Sequence, residues 1–347
     1  MISIQDLENC CDILYGGKDP SPIGWKDIPC KETSDSNALC KNPLVSVCIV
    51  TYNHESYIAD CLDGVLAQRT NFEFEIVLGE DCSLDRTREI CFDYQRRFPD
   101  KIRVLWAEEN VYRKGGNWAR NIIHARGRYV AQLDGDDYWI DPLKLQKQID
   151  LMRSKDAISC VANFLVHRQD GARSEVRYNS NGNLTHRDLL KTYPQTSTYL
   201  TERDFFLRRT ELFPAIRGWY DVVELHCLIE TGKVAYLNDV VSAYRLTGRG
   251  IATSLSAQKK KLLGVKQYLD LYLHGPKSFH HRFGSLVMTY VAFFFNRSTP
   301  GWTREFTEEH SKLLRQIFWG VYIRQFWDLR SVRAFLRYAR FKLGMRK

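Results

Sequence analysis

Between Leu44 and Asp136, apolar runs of strand length alternate with stretches that place apolar residues at helical spacing. "LVSVCIVTYN" (Leu44 to Asn53) is followed by "SYIADCLDGVLAQ", where Ile58, Cys61, Leu62, Val65 and Leu66 share one helical face. "FEIVLGEDCS" (Phe74 to Ser83), a helix from Asp85 to Phe98, "IRVLWA", the helix "NWARNIIHAR" and "RYVAQLD" continue the pattern. Alternation with short connections predicts an α/β architecture with a sheet flanked by helices. Ligands of such sheets bind beyond the carboxyl ends of the strands. Three of these runs end in Tyr52-Asn53, Glu80-Asp81 and Asp134-Gly135-Asp136, so polar and acidic residues are expected along one edge.

The pattern continues more loosely. Pro142 to Met152 reads as a helix with Pro in its first turn, and "AISCVANFLVHR" reads as a strand. Residues 170–196 are polar and irregular, an expected insertion. "STYLTERDFFLRR" looks extended, "WYDVVELHCLIETGK" helical with Gly232 as its C-cap, and "VAYLNDVVSAYRL" strand-like. This organisation predicts an irregular extension over 1–43 with one short helix near Ile4 to Leu14, an α/β domain over 44–255, and a basic, aromatic helical region over 256–347.

Hydrophobic content of 44% and charged content of 26% suit a soluble globular protein. The net charge of +9 invites an anionic partner. No helix-turn-helix, finger or ribonucleoprotein pattern is visible, which argues against nucleic acid. The N-terminus lacks a secretory pattern, and the longest strongly apolar run, Leu286 to Phe295, is too short for a bilayer. A cytoplasmic location is expected, with peripheral contact at the inner face of the membrane as an option. Of the ten cysteines, Cys48, Cys160 and Cys227 lie in apolar runs as small hydrophobes. Cys10, Cys11, Cys30 and Cys40 lack the spacing of a zinc site, so reduced thiols are expected. The last 24 residues carry eight Lys/Arg against one acid, Asp328. There Arg330, Arg333, Arg337 and Arg340 form one helical stripe opposite Val332, Phe335, Leu336, Ala339 and Leu343. Two readings stand: a terminal helix packed on the domain, or a helix lying on an anionic membrane.

"YVAQLDGDDYWIDP" sets three acids within four positions at the end of an apolar run. Clustered carboxylates repel one another. A solvated turn would explain them, and so would a cation site: hard ions such as Mg²⁺ or Mn²⁺ prefer oxygen ligands. Gly135 would allow a sharp turn and close approach of a ligand.

Taken together, "VSVCIVTYNHESYIADCL", "EIVLGEDCSLDRT", "ARN" and "YVAQLDGDDYWIDPLKLQKQ" resemble the family 2 glycosyltransferases in order and spacing. The resemblance covers roughly Leu44 to Gly250. It implies a GT-A-type, Rossmann-like mixed sheet flanked by helices, followed here by a C-terminal helical extension. It also implies metal-assisted, inverting transfer of a sugar from a nucleotide-sugar, UDP-linked by preference, to a hydroxyl of a glycan or lipid-linked acceptor in surface polysaccharide synthesis. By the same resemblance Thr51, Tyr52, Asn53 and Glu55 line the donor pocket and Asp81 meets the base edge. Asp134 serves ribose and metal, Asp136 ligates the metal, and Arg120 and Asn121 face the donor. Asp221 matches the position of the general base, with Glu224 one turn later as its competitor. Each has a structural alternative, such as a turn, a cap or a surface ion pair.

One departure is visible. The family often carries a His shortly after its tyrosine-arginine pair, and "AYRLTGRGIATS" has Thr247 near that place. Arg245 and Arg249 are then candidates for stabilising the leaving diphosphate. Readings of other classes are a nucleotidyltransferase-like sugar-nucleotide enzyme, disfavoured by "TYNHESY" in place of a Gly-rich phosphate loop, and a non-catalytic membrane-associated binding protein.

Overall fold

The computed structural model describes residues 4–14, 28–111, 116–178, 182–189, 193–213, 216, 221–248, 256–294 and 304–324. Ten strands join in one mixed sheet. They are β1 (Lys31–Thr33), β2 (Val45–Thr51), β3 (Phe74–Glu80), β4 (Ile102–Trp106), β5 (Tyr129–Asp134), β6 (Tyr138–Trp139), β7 (Ser159–His167), β8 (Arg173–Val176), β9 (Leu200–Glu202) and β10 (Val234–Arg245). Their order is β1-β4-β3-β2-β5-β9-β7-β10-β6, with β8 paired to β7.

β2 lies between β3 and β5 and runs parallel to both, in registers that set Thr51 opposite Glu80 and Val50 opposite Asp134. The three predicted polar strand ends therefore lie side by side. Strands buried on both faces read as continuous apolar runs, and every residue of β3 is buried. The helix Ile58–Leu66 buries Ile58, Cys61, Leu62 and Val65, the stripe that its spacing predicts. With Val47, Ile49, Ile76, Leu78, Leu133, Trp139 and Ile149 these side chains form the main core. Burying each large aliphatic chain stabilises the fold by about 1.5–3 kcal/mol.

Several local expectations differ from the structure. The segment read as extended after Leu200 is strand only to Glu202, then helical over Arg203–Leu207 and Arg209–Leu212. Phe206 packs edge-on against Trp118 at 5.1 Å and against Phe205 at 5.4 Å, a tertiary contact that outweighs local propensity. Residues 31–33 and 173–176 gain strand structure by antiparallel pairing with β4 and β7. Pro142 precedes its helix, Lys144–Lys155, and its carbonyl accepts the Arg69 N–H at 2.8 Å. Gly232, by contrast, follows the last residue of the helix Asp221–Thr231 as expected, and its N–H donates to Leu228 O at 2.9 Å.

Two compact units emerge: residues 21–209 with 225–248, and residues 1–20, 210–224 and 249–347. The first 43 residues thus contribute to both. In the second unit the helices Ile4–Leu14, Ala257–His274, Lys277–Phe294 and Arg304–Arg324 bury Leu7, Leu269, Phe283, Val287 and Phe318. His274 bonds both Asp270 and Glu8, at 2.6 and 2.9 Å. None of the described helices is long and apolar enough to cross a membrane. The basic stripe from Arg330 to Arg340 lies outside the described residues. Cys48, Cys160 and Cys227 are buried, reduced cysteines.

Lys144 is enclosed in the core. Its Nζ donates to Gln148 Oε1 at 2.7 Å and lies 4.1 Å from the centre of the Trp139 ring. Burial pushes its pKa down to about 7, against the smaller opposing pull of Cys160 and Asp141. An unfolded Lys titrates near ~10.4, so between these values the unfolded chain binds the extra proton and stability rises with pH. Below about pH 7 the whole penalty is present. Lys144→Met should therefore gain on the wild type most at pH 7 and least at pH 9.5. The stability difference should change by up to about 1.4 kcal/mol per pH unit. Urea unfolding of both proteins at the two pH values measures it, because slopes common to both cancel.

Candidate functional site

The edge where β2, β3 and β5 end is built by hydrogen bonds that cross between strands. Asp81 N–H donates to Thr51 O at 3.1 Å and Gly135 N–H to Val50 O at 2.8 Å, so both acidic turns are tied to the end of β2. A Cβ on Gly135 would stand 2.7 Å from Thr51 Oγ1 and 2.9 Å from His54 Nδ1. The neighbours that require glycine here are thus Thr51 and His54 of the protein itself.

The loops after β2 and β3 are stapled together. Leu84 N–H donates to Asn53 Oδ1 at 2.7 Å, and Asn53 N–H to Ser83 Oγ at 3.0 Å. Arg86 N–H donates to Glu55 Oε2 at 3.0 Å, Glu55 N–H to Asp85 Oδ2 at 3.1 Å, and His54 N–H to Thr87 Oγ1 at 2.7 Å. Asn53 adopts φ 56°, a left-handed conformation that Asn tolerates better than most residues. Asn53 and Glu55 thus hold the loops, while Tyr52 is 39% exposed at the strand end.

Asp81 is almost wholly buried and its Oδ1 accepts Val111 N–H at 2.7 Å. Glu80, which sequence reasoning left without a role, organises the turn. Its carboxylate accepts Cys82 N–H at 3.2 Å and Ser83 N–H at 2.6 Å, and pairs with Arg88 at 2.5 Å. The only signal was its place at a strand end. His54 was also missed: its Nδ1 lies 3.2 Å from Thr51 Oγ1. Burial lowers its pKa, against the opposing pull of Asp136 and Asp85.

Arg120 and Asn121 lie on the helix Gly116–His124, against the strands of the edge. Both are fully buried. Arg120 Nη2 donates to Glu80 O and to Asn117 Oδ1, each at 2.7 Å, and Asn121 Nδ2 donates to Ile49 O at 2.7 Å. They brace strand carbonyls from beneath the edge. Gly79 makes room for them, since a Cβ there would collide with Asn117 Oδ1 and Asn121 Oδ1.

Asp134 and Asp136 are part-buried and Asp137 is buried. Asp137 Oδ1 accepts Arg245 N–H at 2.9 Å, whereas its buried Oδ2 has no hydrogen-bond partner. Burial first, then repulsion from Asp134 and Asp136, holds the Asp137 carboxyl well above the usual carboxylate range. The orphaned Oδ2 of Asp137, beside the part-buried carboxyls of Asp134 and Asp136, fits a divalent cation. Among the described residues no group of three or more His, Cys, Asp or Glu side chains forms a protein cage for one. The donor set suits an ion held by one or two carboxylates and completed by substrate phosphates. Asp134 and Asp136 are the residues that would hold it.

Asp221 opens the helix Asp221–Thr231 with its side chain exposed, whereas Glu224 is buried. Thr247 O accepts Gln169 Nε2 at 2.5 Å. Arg249 lies outside the described residues.

The sequence model described as "Glycosyl transferase family 2" matches residues 46–216. TuaG of Bacillus subtilis, named for teichuronic acid biosynthesis as a glycosyltransferase, is 33% identical over 66% of this chain and 89% of its own length. WfaP of Escherichia coli, a UDP-Glc:alpha-D-GlcNAc-diphosphoundecaprenol beta-1,3-glucosyltransferase, is 33% identical over 36% of this chain and 47% of its own. The chain spans about 63% of the length of the first curated relatives it matches. Among solved structures, S. aureus TarS 1-349 in complex with UDP-GlcNAc shares the fold, with a TM-score of 0.59 at 17% identity over 86% of this chain and 92% of that one.

Gly79→Ala tests the bracing of the edge. The added methyl must displace the amides of Asn117 and Asn121, which should cost about 1–3 kcal/mol as overpacking does. Urea unfolding reads this directly, and a cost within error of zero would mean that the braces move freely.

Proposed function

The chain belongs to glycosyl transferase family 2, and from that membership we propose that it transfers a sugar from a nucleoside diphosphate sugar to a hydroxyl of a glycan or lipid-linked acceptor, with inversion. The observation that carries this reading is the row of strand ends at Thr51, Glu80-Asp81 and Asp134, beyond which the acidic turn carries Asp136. A relative that uses a UDP-sugar and a polyprenyl-diphosphate acceptor makes a UDP-sugar and a lipid-linked glycan the first pair to test. Surface polysaccharide synthesis is the matching role, as in the teichuronic acid relative.

In this mechanism the loops held by Asn53, Glu55, Asp85 and Thr87 form a rigid wall for the nucleoside, with Tyr52 exposed on it and Asp81 beneath. Asp134 and Asp136 would hold Mg²⁺ or Mn²⁺, which when bound neutralises the charge on the departing diphosphate. Asp221 accepts the proton of the acceptor hydroxyl as its oxygen attacks the anomeric carbon from the side opposite the leaving group. Its exposure favours it over the buried Glu224 for meeting a substrate. A cytoplasmic enzyme touching an anionic leaflet through the stripe from Arg330 to Arg340 would suit a lipid-linked acceptor.

Nucleotide release from a panel of UDP-, GDP- and dTDP-sugars with Mn²⁺ or Mg²⁺ tests the reaction; no release with any donor and acceptor would remove it. Asp136→Ala should abolish turnover and weaken donor binding chiefly when metal is present, as calorimetry with and without EDTA can show. Asp221→Asn should lower kcat by about 10²–10⁴ at nearly unchanged donor affinity, the usual worth of a general base. If Glu224→Gln alone has that phenotype, the base is Glu224.

A further inference from the structure

Arg245 ends β10, and its contacts converge on the acidic turn from three elements. Its own N–H holds Asp137 Oδ1 at 2.9 Å, and its Nη1 donates to Asp136 O at 3.2 Å. Its Nη2 donates to Asp60 Oδ2 at 2.5 Å, on the first turn of the helix Ile58–Leu66. The guanidinium carbon lies 4.3 Å from the centre of the Tyr138 ring and 5.4 Å from that of Tyr57. Tyr138 belongs to β6, which pairs with β10 through Ala243. The Arg245 side chain is 12% exposed, while that of Asp60 is 63% exposed.

These contacts leave the guanidinium little open surface for a diphosphate. They do fix both the main chain of Asp136 and the carboxylate of Asp137, and they bring a permanent positive charge into a cluster of three acids. A planar fork that bonds two acceptors while stacking on aromatic rings is a task for Arg; Lys offers a single point charge on a flexible stem.

We propose that Arg245 is a positioning residue of the acidic turn: it presets Asp134 and Asp136 to receive a divalent cation with its diphosphate, and Asp60 is the tether that keeps the guanidinium in place. The proposal rests on the nucleotide-sugar reading of the site. It replaces direct contact between Arg245 and the leaving diphosphate, the role the sequence suggested. Outer-shell partners of this kind commonly change metal affinity by about 10–100-fold when altered. Asp60 adds a long-range element: it stands 185 positions from Arg245 in the chain, and its carboxylate steers the guanidinium without facing the cation itself.

The experiment compares full-length wild type, Arg245→Lys and Asp60→Asn. Arg96→Gln, which touches only the remote exposed pair with Asp93, is the control. UDP binding is measured by calorimetry in EDTA and across a MnCl₂ series, with thermal unfolding of every variant. Arg245→Lys should weaken UDP binding in Mn²⁺ by about tenfold or more. It should also raise the Mn²⁺ concentration for half-maximal binding, while UDP affinity in EDTA stays within about twofold. Asp60→Asn should shift the same quantities in the same direction by a smaller factor. Wild-type affinity in Mn²⁺ for Arg245→Lys overturns the proposal. So does an equal loss with and without metal, which would mark a merely structural role. A gain in Mn²⁺–UDP affinity for Asp60→Asn also overturns it, because Asp60 would then compete with the diphosphate for the guanidinium. If the wild type binds none of UDP, GDP or dTDP with either metal, the nucleotide-sugar reading itself falls and takes this one with it.

Discussion

Mutual repulsion among carboxylates governs the carboxyl edge of this sheet. Glu80 ends β3 and Asp81 follows it, Asp134 ends β5 and Asp136 and Asp137 follow it, and β2 runs between the two strands. At Asp137, burial and then the charges of Asp134 and Asp136 disfavour the ionised carboxylate. Much of the surrounding hydrogen bonding offsets that cost. Glu80 collects two backbone N–H groups and Arg88, Asp81 takes the Val111 N–H, and Asp137 takes the Arg245 N–H. What is left over is the orphaned Oδ2 of Asp137, beside Asp134 and Asp136, a polar cluster that would suit a divalent cation.

Behind the edge lies a layer of polar side chains that meet protein rather than solvent. Arg120, Asn117 and Asn121 project from one helix, Gly116–His124, onto carbonyls of β2 and β3. Buried carbonyls need donors. An Arg and two amides supply them, and Gly79 leaves the space. A charged or amide side chain beside a candidate ligand site therefore need not be aimed at the ligand. Here all three brace strand carbonyls, while Arg120 Nε and Asn121 Oδ1 are buried without a hydrogen-bond partner.

The second half of the chain supplies different chemistry. β10 delivers Arg245 to the acidic turn, and the helix Asp221–Thr231 presents Asp221 to solvent while Glu224 is buried. One helical turn separates two acids of equal charge, one exposed and one buried.

Local pattern determined a good deal. The apolar runs at Leu44, Phe74 and Tyr129, the helical stripe from Ile58 to Leu66 and the polar ends of three strands are periodic features, visible because strand and helix repeat within a few residues. The helical turn at Arg203 and the small strands at Lys31 and Arg173 were illegible, since packing of Phe206 on Trp118 and pairing along β4 and β7 decide them. The same holds for the site. Which acids gather at one edge followed from strand order, but whether a given side chain braces, tethers or faces solvent did not. Arg245 meets Asp60 across 185 positions and Arg103 meets Glu32 across 71. Hydrogen bonds at such separations leave no local periodicity, and burial, which separates Asp221 from Glu224 and Arg120 from a surface cation, is set only when the whole chain has packed.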